Sequence, residues 1–312
     1  MKVEYKVTHN SIVKEYLNEL GLSKKFCKRV KLYGKILING IEAKNYYPVN
    51  EGDIITLEYN EQKNNNIISK DVHLNIIYET DHLLIVNKPP FLASQPSRKH
   101  FVDNVISYVK NYFNKNNINS NVHLVNRLDY QTSGLMIIAK DGYTHHLMSD
   151  SILTKKYIAL VEGEIKPKEG KIDLPIARKN IIDHVLENND NLENNNDSKS
   201  ILREVNDNGK PAITLYKTIK QSKDYSLVDI ELLTGRTHQI RVHFSHLGHP
   251  LVGDKLYNPK YSLDSNKNKD ERLYLHSYFV SFTDPFTKER IEIIDKSLNP
   301  INTSEFENKY FD

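Results

Sequence analysis

Residues 123–140 read HLVNRLDYQTSGLMIIAK, a polar and charged stretch that ends in an apolar run. Arg127 and Asp129 stand two positions apart in its middle, just ahead of Thr132-Ser133-Gly134. The run GLMIIAK has the length and composition of a buried strand, so NRLDYQTSG is the loop that delivers the chain into it. A carboxylate held in such a loop can act as a nucleophile or as a base. Loops fixed by a rigid sheet are also where catalytic groups concentrate. The same two residues could instead make a structural ion pair or an Asx turn, and this stretch alone leaves both readings open.

A second segment bears on the choice. Residues 232–257, LLTGRTHQIRVHFSHLGHPLVGDKLY, begin as a strand end, pass through Thr-Gly-Arg and continue as a helix. Arg236 falls at that strand-to-helix junction, where it can face a cleft. His238, His243, His246 and His249 invite a metal reading, but their spacing fits no zinc motif and the glutamate of an HExxH helix is missing. Local hydrogen bonding or an RNA-facing surface is the expectation for these histidines, and no metal site is expected. No glycine-rich phosphate cradle of nucleotide-binding type occurs either.

The elements that must position these groups belong to a chain of 312 residues with 38% hydrophobic residues, enough for one large domain and a small one. Cys27 is the sole cysteine, which rules out a disulfide within the chain and suits a reducing, cytoplasmic setting. No apolar run approaches the ~20 residues needed to cross a bilayer, so no membrane partner is expected. The net charge is only +3, yet Lys24, Lys25, Lys28, Arg29, Lys31 and Lys35 follow one another between Glu19 and Glu42 with no acid among them. Such a run is either a solvated helix face or a surface for phosphates.

Along the chain, SIVKEYLNEL reads as an amphipathic helix with Ser11 as its N-cap, and Ser23 caps a second helix that Gly34 ends. Asn39-Gly40 and Gly52-Asp53 mark hairpin turns. Residues 1–60 therefore form a small α+β unit, 61–71 a polar linker, and 72–312 the larger domain, with the low-complexity segment 187–200 expected as a surface loop. In the larger part strands outnumber helices and often adjoin through hairpins. The expected class is α+β, with a mixed, mostly antiparallel sheet flanked by helices and loops.

NRLDYQTSGLMIIAK, KKYIALVEG and LLTGRTHQIRVHFSHLGHPLVGDKLY resemble the three signature blocks of the RluA-type pseudouridine synthases, and IVNKPPFLASQPS and LYLHSYFVSFTDP are similar to two flanking blocks. LSKKFCKRVKLYGKILING and VNEGDIITL resemble an S4-type RNA-binding domain. The first resemblance implies an isomerase that converts uridine in RNA to pseudouridine. Asp129 then matches the catalytic aspartate and Arg127 the arginine that fills the space of a flipped uridine. Tyr157 matches the tyrosine that packs on the target base, and Arg236 the arginine that pairs with the aspartate. The second resemblance implies RNA-backbone contacts from Lys24, Lys25, Lys28, Arg29 and Lys31.

Asn126 stands where the family has histidine and is grouped with Arg127 on the substrate side. Phe91 replaces the glycine of NKPxG, which suggests altered loop geometry, because phenylalanine avoids positive φ. Tyr130-Gln131 stands where many relatives carry charged residues. The isomerisation exchanges no electrons or groups, so no cofactor is implied. The implied partner is RNA, 23S rRNA first and tRNA second, with the protein acting as a monomer. The alternative is an inactive RNA-binding or ribosome-assembly factor of the same fold.

Overall fold

The computed structural model describes residues 2–59, 66–149, 151–179, 202–261, 272–297 and 309–311. The expected loop 187–200, residues 61–65 of the segment read as a linker and Asn60 lie outside the described residues.

The N-terminal unit runs β1 (Lys2–Lys6), β2 (Ser11–Ile12), α1 (Val13–Glu19), α2 (Lys24–Tyr33), β3 (Gly34–Ile38), β4 (Ile41–Glu42), β5 (Pro48–Val49) and β6 (Ile54–Tyr59). An antiparallel sheet in the order β1-β6-β3-β4 carries the two helices. Val13 and Leu17 of α1 and Phe26 and Val30 of α2 pack with Ile36 and Leu57 of the sheet, so helical spacing of the apolar residues decides which faces are buried. Ser23 caps α2 as expected, its hydroxyl accepting from the Phe26 amide at 3.2 Å. Ser11 does not cap α1. It pairs with Val49 in the β2–β5 bridge, and the first amides of α1, at Val13 and Lys14, donate instead to the carbonyls of Tyr47 and Asn45. A loop from elsewhere in the unit does the work of a cap there.

The larger part contains β7 (Ile76–Glu79), β8 (Leu83–Lys88), α3 (Val105–Lys115), β9 (His123–Leu124), β10 (Ser133–Ala139), α4 (Gly142–Ser149), β11 (Thr154–Glu162) and β12 (Glu169–Asp173). It continues with β13 (Ile176–Arg178), β14 (Arg203–Val205), β15 (Ile213–Gln221), β16 (Tyr225–Leu232), α5 (Gln239–His246), β17 (Leu275–Thr283) and β18 (Arg290–Ile294). The main sheet runs β12-β15-β16-β11-β17-β10-β8-β7, with β18 joined to β17 and β9 to β10. Among the described residues its pairs are antiparallel except β10 with β17, which matches the mixed, mostly antiparallel sheet expected. No helix among the described residues is long and apolar enough to cross a membrane.

β10 is buried along its whole length between β8 and β17. That explains its unbroken apolar sequence, since a strand covered on both faces has no polar side. The two parts of the chain also share packing. Tyr143 of α4 belongs to the N-terminal core, and its phenol is hydrogen-bonded to that of Tyr5. The Ser23 amide donates to Nε2 of His146 at 3.1 Å, and the Phe26 ring stacks on the same imidazole at 5.4 Å. Further along, Lys70 pairs with Asp103, and Asp71 accepts from Lys115 at 2.6 Å, so the end of the segment read as a linker is fastened to α3 and the loop before it.

At the entry to β10, Gly134 has φ of +112°, and a Cβ there would lie 2.2 Å from the Ser277 carbonyl oxygen of β17. Only glycine lets the two strands meet at this point. Gly134→Ala should lower unfolding stability by at least about 3 kcal/mol, combining backbone strain with a clash in the sheet. Urea denaturation followed by circular dichroism measures the loss.

Candidate active site

Asp129 opens into a cavity of about 580 Å³ whose lining comes from three stretches of chain: residues 93–100, residues 124–132, and the turn from β16 into α5. Lys155 and Tyr157 of β11 complete the wall. Asp129 is 27% exposed, toward this space. Among the described residues it is the only acidic one in the lining.

The loop that holds Asp129 is fixed from both sides. Leu128 points into the core, its amide accepted by the Ser94 hydroxyl at 3.1 Å while that hydroxyl donates to the Leu128 carbonyl at 2.5 Å. The Asp129 carbonyl accepts from the Thr132 amide at 3.1 Å and closes the turn into β10. Lys88, at the end of β8, is fully buried, and its ammonium donates to the carbonyls of Pro89, Leu92 and Tyr130 at 2.8, 2.9 and 3.3 Å. Burial pulls the Lys88 pKa down to about 7, with the negative charge of Asp129 acting in the other direction.

Arg127 is exposed at the mouth, its guanidinium 3.5 Å from the Gln95 side-chain oxygen. Tyr157 is buried on β11 beside a β-bulge at Lys156/Tyr157, a device that re-aims a side chain. Burial, and after it the charge of Asp129, push the Tyr157 phenol up, so it stays protonated. Burial likewise lowers the pKa of Lys155.

Two expectations need correction. Asn126 does not reach out to a substrate. Its Oδ1 accepts from the Ile137 amide at 2.7 Å and its Nδ2 donates to the Leu135 carbonyl at 3.4 Å, so the side chain fastens the start of the loop to β10. Arg236 lines the cavity but is not the partner of Asp129. It is exposed, and its Nε donates to the Pro211 carbonyl at 2.9 Å. The partner is Arg241, one of whose terminal nitrogens lies 3.5 Å from the Asp129 carboxylate. Arg236 precedes the helix, whereas Arg241 sits on α5 itself, on a side chain the helix turns inward.

Arg241 is 3% exposed and is gripped by Asp254, which accepts from Nε at 2.8 Å and from Nη2 at 2.7 Å. Burial alone would lower the arginine pKa; the hydrogen bonds and charge of Asp254 outweigh it and raise the pKa. His238 caps α5 in the left-handed conformation, with φ of +58°. Its Nε2 lies 3.9 Å from Asp129 and its Nδ1 is 2.8 Å from the Tyr257 hydroxyl. Burial pushes His238 down to about 4, so its imidazole is neutral at neutral pH.

Other histidines are used locally as well: His243 between the Thr214 hydroxyl and the Leu174 carbonyl, and His249 at the Glu162 carbonyl. Lys88, Arg241 and Asp254 were not singled out from the sequence, and His238 was read there only as one of four histidines expected in local hydrogen bonds or on an RNA-facing surface. The available signal was the position of Arg241 inside the helix that follows Thr-Gly-Arg, three residues after His238.

Residues 82–246 match the family model described as RNA pseudouridylate synthase. The chain is 35% identical to an uncharacterised RNA pseudouridine synthase, YjbO, of Bacillus subtilis strain 168, over 89% of this chain and 93% of that protein. The chain belongs to the RNA pseudouridylate synthase family. It is also 33% identical to the ribosomal large subunit pseudouridine synthase C of Buchnera aphidicola, across 94% of this chain and 95% of the relative. Among solved structures, the human RNA pseudouridylate synthase domain containing 1 superposes with a TM-score of 0.56 at 22% identity, covering 76% of this chain and 88% of the human one. That likeness concerns the fold. The protein is thus an RNA pseudouridine synthase, an isomerase, and the RluA-type blocks read in the sequence surround the cavity just described.

A pH dependence follows from His238. Its folded pKa of about 4 lies below the ordinary 6.5, so the unfolded chain binds the proton first as pH falls. Stability is therefore lost progressively from pH 6.5 toward 4, by at most about 3 kcal/mol from this group. His238→Asn keeps a residue that tolerates positive φ and should flatten that part of the profile. Urea titrations of both proteins at half-unit pH steps measure the difference.

Proposed function

We propose that Asp129 is the catalytic carboxylate and that the substrate is a uridine of large-subunit ribosomal RNA. The observation that carries the assignment is that Asp129 is the one acid lining the cavity among the described residues, with a buried arginine beside it. Breaking a glycosidic bond with paired acids requires a second carboxyl group to protonate the leaving group. A uracil can leave with the electron pair of the C1′–N1 bond as a stabilised anion, so one carboxylate is sufficient.

Asp129 then acts at C1′ as a nucleophile or takes the C2′ proton; both routes start from the same carboxylate. The detached ring turns and C5 bonds to C1′ as the Asp129–C1′ bond breaks or, in the other route, as the C2′ proton returns; N1 takes up a proton and the hydrogen on C5 leaves as a proton. Cations lining the cavity, Arg236, Lys155 and Arg241, face the negative charge that develops on the ring. Tyr157 provides an aromatic wall for it. Taking the uridine out of its stack costs a few kcal/mol, which Arg127 at the mouth offsets by occupying the vacated space.

The N-terminal unit is the S4-like RNA-binding part of this reading. Lys24, Lys28, Arg29 and Lys31 are exposed on α2, with no acidic residue in its first turn. These four form a face for phosphates, which supply affinity and little sequence information. The name of the Buchnera relative supports ribosomal RNA as the substrate. Asn126, which stands where the family has histidine, fastens the loop to β10 rather than facing substrate.

Tritium release from RNA labelled at C5 of uridine tests the proposal. Wild-type protein should release tritium from 23S rRNA transcripts, and Asp129→Asn should fall to background while still binding. Equal release by the variant would overturn the role of Asp129. Release from tRNA alone would overturn the substrate.

A further inference from the structure

Phe91 has φ of +60°, a left-handed conformation that a bulky side chain adopts only under strain of about 1–3 kcal/mol. The expectation that phenylalanine would alter this loop is therefore wrong in one respect: the positive φ is adopted with the ring in place. The strained turn is held by Lys88, whose ammonium binds the carbonyls of Pro89 and Leu92 on either side of Phe91. The third carbonyl on that ammonium belongs to Tyr130, so a single buried cation fixes the backbone of both aromatic residues.

The two rings meet edge to face at 6.0 Å, and both are open to solvent, Phe91 by 47% and Tyr130 by 40%. Neither belongs to a buried cluster, so the strain at Phe91 returns nothing to the core. His100 stacks on Tyr130 with ring centres 4.4 Å apart, and both line the cavity that holds Asp129. Exposed cations surround the group: Arg127 beside it in the chain, and Arg98 and Lys99 at the tip of the turn closed by Ser97 and His100.

We propose that Phe91 and Tyr130, backed by His100, form a platform at the rim of the cleft that stacks on an unpaired RNA base flanking the uridine taken up by the site. Exposed rings interleaved with cations match single-stranded nucleic acid, in which every base has a face to stack and every linkage a negative charge. The inference rests on the reading of the cavity as a uridine site and adds a neighbouring subsite to it.

The probe is a synthetic RNA hairpin whose loop carries one uridine next to 2-aminopurine, whose fluorescence falls on stacking. Wild-type protein should quench it and bind about tenfold more tightly than Phe91→Gly. Because glycine relieves the positive φ, that variant should melt no lower than wild type. Tyr130→Leu, which keeps bulk but removes the ring, should weaken binding in the same way. On a hairpin with an abasic site in place of 2-aminopurine, all three proteins should bind alike.

Equal affinities for the 2-aminopurine hairpin would overturn the platform, as would a loss that persists on the abasic hairpin. Tritium release by the same wild-type preparation separates the two ideas. Release together with equal affinities leaves the isomerase and removes the platform; a ring effect without release leaves the platform and removes the uridine reading.

Discussion

A guanidinium that is 3% exposed needs partners, and Arg241 sets the geometry around it. Removing an ion of this kind from water costs several kcal/mol, which close pairing must offset. Asp254, itself fully buried, takes two N–H groups of the fork, while its Oδ1 also accepts from the amides of Leu256 and Tyr257 at 2.9 and 3.2 Å. The guanidinium is planar, so once two of its edges are engaged the remaining nitrogen has a fixed direction, toward Asp129. A lysine ammonium has no such plane to fix. Tyr257 closes the arrangement, its ring 5.1 Å from the guanidinium carbon and its hydroxyl on His238.

The backbone behind Asp129 obeys a similar constraint from a second buried cation. Lys88 joins the turn after β8 to the loop before β10 through carbonyl oxygens, which need a donor wherever water is excluded. Arg241 therefore acts on the carboxylate and Lys88 on the chain that carries it. Hydrogen-bond donors reach the loop from two directions, while the cavity side of Asp129 stays open. A reacting group gains most when its surroundings are organised before substrate arrives, and here the organising groups are buried.

Much of this was legible in the sequence. The uniform apolar character of GLMIIA located a doubly covered strand, and the polar loop before it located the acid. Ser23 and Gly34 bounded α2 because capping chemistry is local to the chain. Where the sequence misled, a distant segment had taken over a local role: the carbonyls of Asn45 and Tyr47 displaced Ser11 as a cap, and β10 claimed both polar atoms of Asn126. Arg236 and Arg241 lie five residues apart in one motif, and motif position alone cannot tell which of them the helix turns toward the acid. That choice depends on Asp254, which a loop delivers after α5 has ended.

The attachment of the N-terminal unit bears on where RNA selectivity resides. α2 docks on α4 through Ser23, Phe26 and His146, and only two residues separate α4 from the end of β10, the strand that follows the Asp129 loop. If that basic face holds phosphates as proposed, the contacts between α2 and α4 limit the stretch of RNA it can present to the site. Such contacts fix register and orientation but do not distinguish one base from another. On the proposed reading, discrimination among the uridines within reach falls to groups at the cleft mouth, where the exposed cation Arg127 stands beside rings whose backbone a buried lysine holds. Of these, a ring on a held backbone would be the more selective element, because it accepts only a base presented parallel to it, whereas a long cationic side chain follows any backbone.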